Sequence, residues 1–302
     1  MICSRAFPRD RDWHVYAEKH SCGVPESAEV RRNWAIGLED LSHLERDLES
    51  DAPDVLLVQH NPAFFGEERL GRLLALAREK GIAAATILHS VRGLRIDADL
   101  ASELSRTDRI YVHRGEDAER LARLGPKHNV RVIPQGIPRL PERSAGWVKK
   151  QIGLDGRFLI GHFGYLRAHK GVIELGEAFD RIADRDERAE LLLLCAEYPS
   201  EDSREYRKRC EVRISGSPVA GRIHVSFDHL DFDMAGFLLQ ACDVLVFPYH
   251  PSGESSSAAV RLAIAAVFVV TREGRLVEIV PAAAVPRGTD LSDSVWYRGL
   301  RS

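Results

Sequence analysis

The chain has 302 residues, room for two domains of about 150 residues each, and its 29% charged and 44% hydrophobic residues are the proportions of an ordinary globular protein. A formal net charge of −3 supplies no cationic excess for a nucleic-acid backbone, so no nucleic-acid partner is expected. The five cysteines (Cys3, Cys22, Cys195, Cys210 and Cys242) are odd in number and scattered without Cys-x-x-Cys spacing, which speaks against a disulfide framework and a zinc site and fits a reducing cytoplasm.

Residues 1–33 hold one short strand candidate, His14–Ala17, and the start of the chain is too polar for a signal peptide. From residue 54 short apolar runs alternate with amphipathic stretches. Val55–Gln59, Ala83–His89, Arg109–His113 and Val130–Pro134 are expected as strands buried on both faces. Between the first two, Leu70, Leu73, Leu74 and Ala77 recur at helical spacing on one face, and Gly81 ends the helix. Glu116–Leu124 places acidic residues early and arginines late, as the helix dipole favours, before Gly125-Pro126 stops it.

Two prolines, Pro138 and Pro141, interrupt the alternation, and the domain boundary is expected there, giving domains 1–143 and 144–302. The second half repeats the scheme with strands expected at Phe158–Gly164, Leu191–Ala196, Arg222–Ser226, Val244–Pro248 and Phe268–Thr271. Helices are expected at Val172–Asp184, Ser203–Arg213, Met234–Ala241 and Ser256–Ala266. Strand-helix alternation with helices long enough to cross over implies parallel sheets, so the expected fold is α/β, two doubly wound Rossmann-like domains. No apolar run approaches the roughly 20 residues of a membrane span. A cytoplasmic location follows, and any contact with the inner membrane face is peripheral. Trp147, Lys149 and Lys150 read as an ordinary amphipathic surface patch.

Two strand-to-helix loops carry the chemistry. In Gly161–Gly171, whose loop contains Gly164, the residues Lys170 and Arg167 place cations beside helix-start amides, which suits a diphosphate; a solvated turn with ordinary basic residues accounts for the same spacing. In Pro248–Ser257, Glu254 precedes Ser255, Ser256 and Ser257, small residues that leave a helix start open to phosphate; Glu254 offers two acceptor oxygens to sugar hydroxyls. An N-cap with an acidic neighbour is the simpler account of that second loop. Histidines end three successive strands of the first half, His60, His89 and His113, where the carboxyl ends of a parallel sheet face a site; His89, followed by Ser90, is favoured. The three are about 25 residues apart, with no carboxylate beside them, so metal binding is not expected. Neither a G-x-S-x-G elbow nor a G-x-G-x-x-G fingerprint is present.

Taken in order, Asp54–Pro62, Leu88-His89-Ser90, Ile133–Ile137, Phe163–Gly171, Asp243–Tyr249 and Glu254–Ser257 resemble the GT-B glycosyltransferases of family four. The resemblance implies two Rossmann-like domains facing a cleft, a nucleotide-sugar donor held mainly by the second, transfer with retention of configuration, and no metal or other cofactor. It assigns Lys170 to the donor diphosphate, Glu254 to the donor sugar, Ser256 and Ser257 to the phosphate-binding helix start, and His89 to the sugar from the first domain. The implied acceptor is a polysaccharide, glycolipid or similar lipid-linked glycan.

The chain also departs from that pattern. Tyr165 follows the loop glycine where arginine is common, and the family's ribose-binding glutamate falls on Leu262. The family's opening strand with its glycine-rich loop and its closing helices are not evident, so both domains are expected to be incomplete at the outer ends. These departures favour an alternative, a non-catalytic GT-B remnant that at most binds nucleotide; a nucleotide-sugar epimerase of the same fold is a third reading.

Overall fold

The computed structural model describes residues 13–19, 29–35, 40–62, 65–126, 128–251, 257–266 and 269–271. The chain divides into two compact units that meet between Pro134 and Gln135.

The first unit opens with a parallel pair, β1 (Val15–Glu18) and β2 (Val30–Trp34), and helix α1 (Ser42–Asp51). Sequence periodicity indicated neither β2 nor α1. Polar contacts bind them: Asp51 accepts from Tyr16 Oη at 2.7 Å and from Arg31 Nη1 at 2.9 Å, and Asn33 Nδ2 donates to Asp47 at 2.7 Å. A four-stranded parallel sheet follows, in the order β3 (Val55–His60), β4 (Ala83–Leu88), β5 (Arg109–Val112) and β6 (Val130–Val132). Helices α2 (Glu67–Glu79), α3 (Ala98–Arg106) and α4 (Gly115–Leu124) make the crossovers. Glu67 and Glu68 open α2 and Arg78 closes it, and Gly81 takes φ +71° to turn the chain back into β4.

The core sets Val58, Ala84, Leu88, Ile110 and Val112 of the strands against Leu70, Leu74, Leu100, Leu104 and Leu121 of the helices. Burial on both faces, expected for all four of these strands, is not what β3 shows, and Val132 of β6 is also exposed. Val55 and Leu57, which alternate with the core residues, are 61% and 43% exposed. Strands added one beside the next by right-handed crossovers receive every helix on the same face, so an apolar run here is half covered.

The second unit contains α5 (Ala145–Gln151), β7 (Phe158–Tyr165), α6 (Val172–Ala183), β8 (Ala189–Ala196), α7 (Glu201–Ser215), β9 (Ile223–Ser226), α8 (Phe232–Leu239), β10 (Val244–Phe247), α9 (Ala258–Ala266) and β11 (Val269–Thr271). Its five parallel strands lie in the order β11-β10-β7-β8-β9. Here the sheet is covered twice. On one face Ile160, Leu191 and Leu193 pack with Leu175 and Phe179 of α6 and Tyr206 of α7; on the other Leu159, Leu192 and Leu245 pack with Val148, Leu239 and Leu262. Each of these fully buried side chains contributes about 1.5–3 kcal/mol.

The strap joining the units folds onto the second one. Leu140 lies against Gly236, where an added Cβ would be 2.6 Å from it, and the Arg143 N–H donates to Gln240 Oε1 at 3.0 Å. This explains why the division falls before the prolines and not at residue 143. Lys149 does not join Trp147 in a surface patch. It is 7% exposed, and its ammonium donates to Asp243 and to the Arg157 carbonyl, tying α5 to the start of β10 and to the turn before β7. Cys195, Cys210 and Cys242 are buried free thiols in this unit. Among the described residues no helix is long and apolar enough to cross a membrane.

Removing Lys149 takes the cation from the Asp243 carboxylate, which is 29% exposed and still accepts from the Leu159 N–H at 2.7 Å. Lys149→Ala should lower the unfolding free energy by about 1–3 kcal/mol in urea titrations, whereas Lys150→Ala on the exposed side should change it by less than about 0.5 kcal/mol.

Candidate functional site

In the second unit the chain runs from β7 outward to β8 and β9, then returns to the other side of β7 as β10 and β11. The loops leaving the carboxyl ends of β7 and β10 therefore diverge, and the crevice between them is where open parallel sheets bind ligands. They are the two loops singled out by sequence. In the second, Glu254, Ser255 and Ser256 lie outside the described residues.

The loops meet by backbone. Gly171 follows a short 3-10 turn, Ala168–Lys170, and has φ +71°; a Cβ there would run into the carbonyl oxygen of Pro248. The His250 N–H donates to the His169 carbonyl at 2.8 Å, and His250 Nε2 lies 2.7 Å from Glu174 Oε1. Lys170 is 6% exposed, with its ammonium 4.0 Å from the centroid of the Tyr249 ring, a cation held on an aromatic face. At the hydroxyl end of the same side chain, Tyr249 Oη is 3.4 Å from Ser257 Oγ.

Ser257 caps α9: its carbonyl accepts from Arg261 N at 3.1 Å and its hydroxyl oxygen from Val260 N at 3.4 Å. The Lys170 ammonium and the positive end of α9 are thus separated by one tyrosine side chain and its two contacts. Gly164, at φ +145°, completes the group, since a Cβ there would lie 3.6 Å from Ala259 Cβ and 3.8 Å from Tyr249 Oη. Arg167 is not brought in. Its guanidinium carbon lies 4.1 Å over the ring of Tyr198, just beyond the end of β8, and Tyr198 meets Tyr165 edge-on at 5.3 Å.

Sequence reasoning passed over His162, in the middle of β7. It is 1% exposed, and since a carbonyl only accepts, its Nδ1–H must donate to Val246 O, at 2.7 Å. β7 and β10 pair only at Ile160↔Val244 and Gly161↔Leu245, so this side chain bridges the strands where they begin to part beneath the crevice. Burial pushes its pKa from 6.5 down to about 4, and the Lys170 charge acts in the same direction. A histidine inside the apolar run Leu159–Phe163 was the available signal.

In the first unit, two of the three strand-end histidines come together. His60 turns into the core, fully buried, with Nε2 3.0 Å from the Phe65 carbonyl and a pKa lowered to about 4 by burial. His89, after β4, has Nδ1 2.9 Å from His113 Nε2 and Nε2 2.8 Å from Gln59 Oε1. His113 Nδ1 lies 2.9 Å from the Ile133 carbonyl. Burial first, and the charge of His113 next, lower the His89 pKa to about 4. Among the described residues no three His, Cys, Asp or Glu side chains are grouped as metal ligands.

No protein-family model matches the chain. No curated protein matches it in sequence. Solved structures match in fold: Anabaena HepE in complex with UDP, at 17% identity and TM-score 0.60, over 80% of this chain and 66% of that one. A UDP-forming trehalose-phosphate synthase from Burkholderia xenovorans matches at 15% identity and TM-score 0.57, over 76% of this chain and 61% of that one. The fold is GT-B. An E. coli protein bound with UDP-2-fluoro glucose, titled as trehalose-6-phosphate, matches this GT-B chain at 13% identity and TM-score 0.58, over 76% of this chain and 61% of the other. The chain therefore spans less than two thirds of the length of these structures.

A histidine held neutral when folded binds fewer protons than it does unfolded, so His162 contributes stability that is whole above about pH 6.5 and lost as pH falls towards about 4. Denaturant titrations across that window should show the unfolding free energy of the wild type falling on acidification, and His162→Gln should reduce that fall by roughly 3 kcal/mol.

Proposed function

We propose that the chain handles the donor of a retaining glycosyltransferase, which moves a hexosyl group from a nucleotide-sugar to a polysaccharide, glycolipid or similar acceptor. The observation that carries this reading is the meeting of Lys170, Tyr249 and the Ser257-capped start of α9 at the reversal of strand order. A diphosphate laid there gains an ammonium on one side and the unpaired amides of a helix start on the other. The neighbours with UDP in their titles favour UDP as the nucleotide.

Breaking the bond between sugar and phosphate leaves negative charge on the departing diphosphate. A cation fixed in place before reaction lowers that barrier without reorganisation. The Tyr249 ring already holds the Lys170 ammonium, and Gly171 keeps the turn that carries it. In this reading Glu254 holds sugar hydroxyls, and Ser255, Ser256 and Ser257 present the helix start. Gly164 allows close approach, and His89 serves the sugar from the first domain. Arg167, engaged with Tyr198, stays outside the diphosphate set. The departing phosphate takes the proton of the acceptor, so the reading needs neither a protein base nor a metal. The setting is cytoplasmic, with peripheral contact at a membrane face where the acceptor is lipid-linked.

One observation favours a second reading. Leu262, where the family has its ribose-binding glutamate, is 6% exposed and packs in the core against β10, so the nucleotide has lost a partner there. A nucleotide-binding chain without turnover would keep the Lys170 site and lack that acid. Calorimetric titration with UDP-glucose should show binding that Lys170→Ala weakens about 10- to 100-fold, the loss of one charge-assisted interaction. Transfer or donor hydrolysis by the wild type selects the enzyme, and binding without turnover selects the second reading. Equal affinity in wild type and Lys170→Ala would remove Lys170 from the site.

A further inference from the structure

The row Gln59, His89, His113 and the Ile133 carbonyl crosses the carboxyl ends of four adjacent strands, β3 to β6, and its protons can be counted. The Ile133 carbonyl only accepts, so His113 Nδ1 carries a proton. With Gln59 Oε1 facing it, His89 Nε2 must carry one as well. A third proton lies between His89 Nδ1 and His113 Nε2, because two bare ring nitrogens 2.9 Å apart would repel. Three protons on two rings is one more than two neutral imidazoles hold.

The row also closes without that extra proton. Turning the Gln59 amide by 180° presents its NH2 to a bare His89 Nε2; His89 Nδ1–H then donates to a bare His113 Nε2, and both rings are neutral. We propose that Gln59 and His113 are positioning residues that set which ring nitrogen of His89 bears its proton, and that uptake of one proton by the pair switches that tautomer. On uptake, the proton of His89 Nδ1 passes along the bond to His113 Nε2, the proton from solvent takes His89 Nε2, and the Gln59 oxygen turns to accept it. The charge then rests on His113, which has two acceptors and is half-exposed, whereas burial keeps His89 neutral. Among the described residues, the titratable groups that act on His89 are His113, just after β5, and His60 of β3, and Glu67 of α2 acts on His60 in turn. The inference rests on the proposed role of His89 at the donor sugar only for its effect on rate.

The test uses the full chain with 15N-labelled histidine, followed by proton–nitrogen correlation spectra across the pH range in which histidines ionise. On acidification the His89 proton should move from Nδ1 to Nε2, with the midpoint at which His113 gains its second proton. Gln59→Glu, whose ionised carboxylate only accepts, should hold His89 as the Nε2–H form throughout and lose the switch. A His89 that keeps one tautomer while His113 titrates, or a Gln59→Glu variant that still switches, overturns the proposal. In parallel, the pH profile of kcat/KM with UDP-glucose should show a step at the same midpoint in the wild type and none in Gln59→Glu. A switch seen in the spectra with no step in the rate leaves the proton coupling standing and removes His89 from the sugar site.

Discussion

The close passage of Gly171 beside the Pro248 carbonyl is the contact on which the second unit's crevice depends. A side chain at position 171 would wedge apart the loops that leave β7 and β10. Without one, the His169 carbonyl reaches the His250 N–H, Tyr249 turns under the Lys170 ammonium, and the chain arrives at Ser257 placed to begin α9. Reversal of strand order opens the gap, and the glycine sets how far it opens. His162 secures the floor, bridging β7 to β10 where their ladder ends.

Polar groups gather in the first unit by the same rule, with a different result. Its strands follow one another without reversal, so their carboxyl ends form an unbroken row. Side chains on such a row answer to each other before they answer to a ligand. Gln59, His89 and His113 form one hydrogen-bonded line, while His60 has turned inward to the Phe65 carbonyl.

Much of this architecture could be read from apolar runs, because parallel strands covered by helices leave continuous hydrophobic segments. Leu191–Ala196 is such a segment, as is Phe158–Gly164, and both became strands with nearly the expected ends. β2, with Arg31, Arg32 and Asn33 at its centre, could not be found that way; its partners are Asp47 and Asp51, distant in the chain. Lys149 looked like a surface residue for a related reason. Its carboxylate partner, Asp243, lies in another segment, and a cation reads as exposed until that partner is known. At the crevice, the order of Lys170 and the serines pointed to two loops that the fold brings together, and Gly171 and Tyr249 supply the contact between them. Arg167 had no sequence signal for its attachment to Tyr198, which lies beyond the next strand.

The cysteines of the second unit have a use apart from any ligand. Cys195, Cys210 and Cys242 are buried, and desolvation pushes all three thiols well above their ordinary range, to about 12 for Cys210 and Cys242. A thiol held protonated and out of solvent does not attack an alkylating reagent. With Cys3 and Cys22 replaced, the speed at which such a reagent marks the protein becomes a clock for the opening of this unit alone, readable by mass and independent of any substrate.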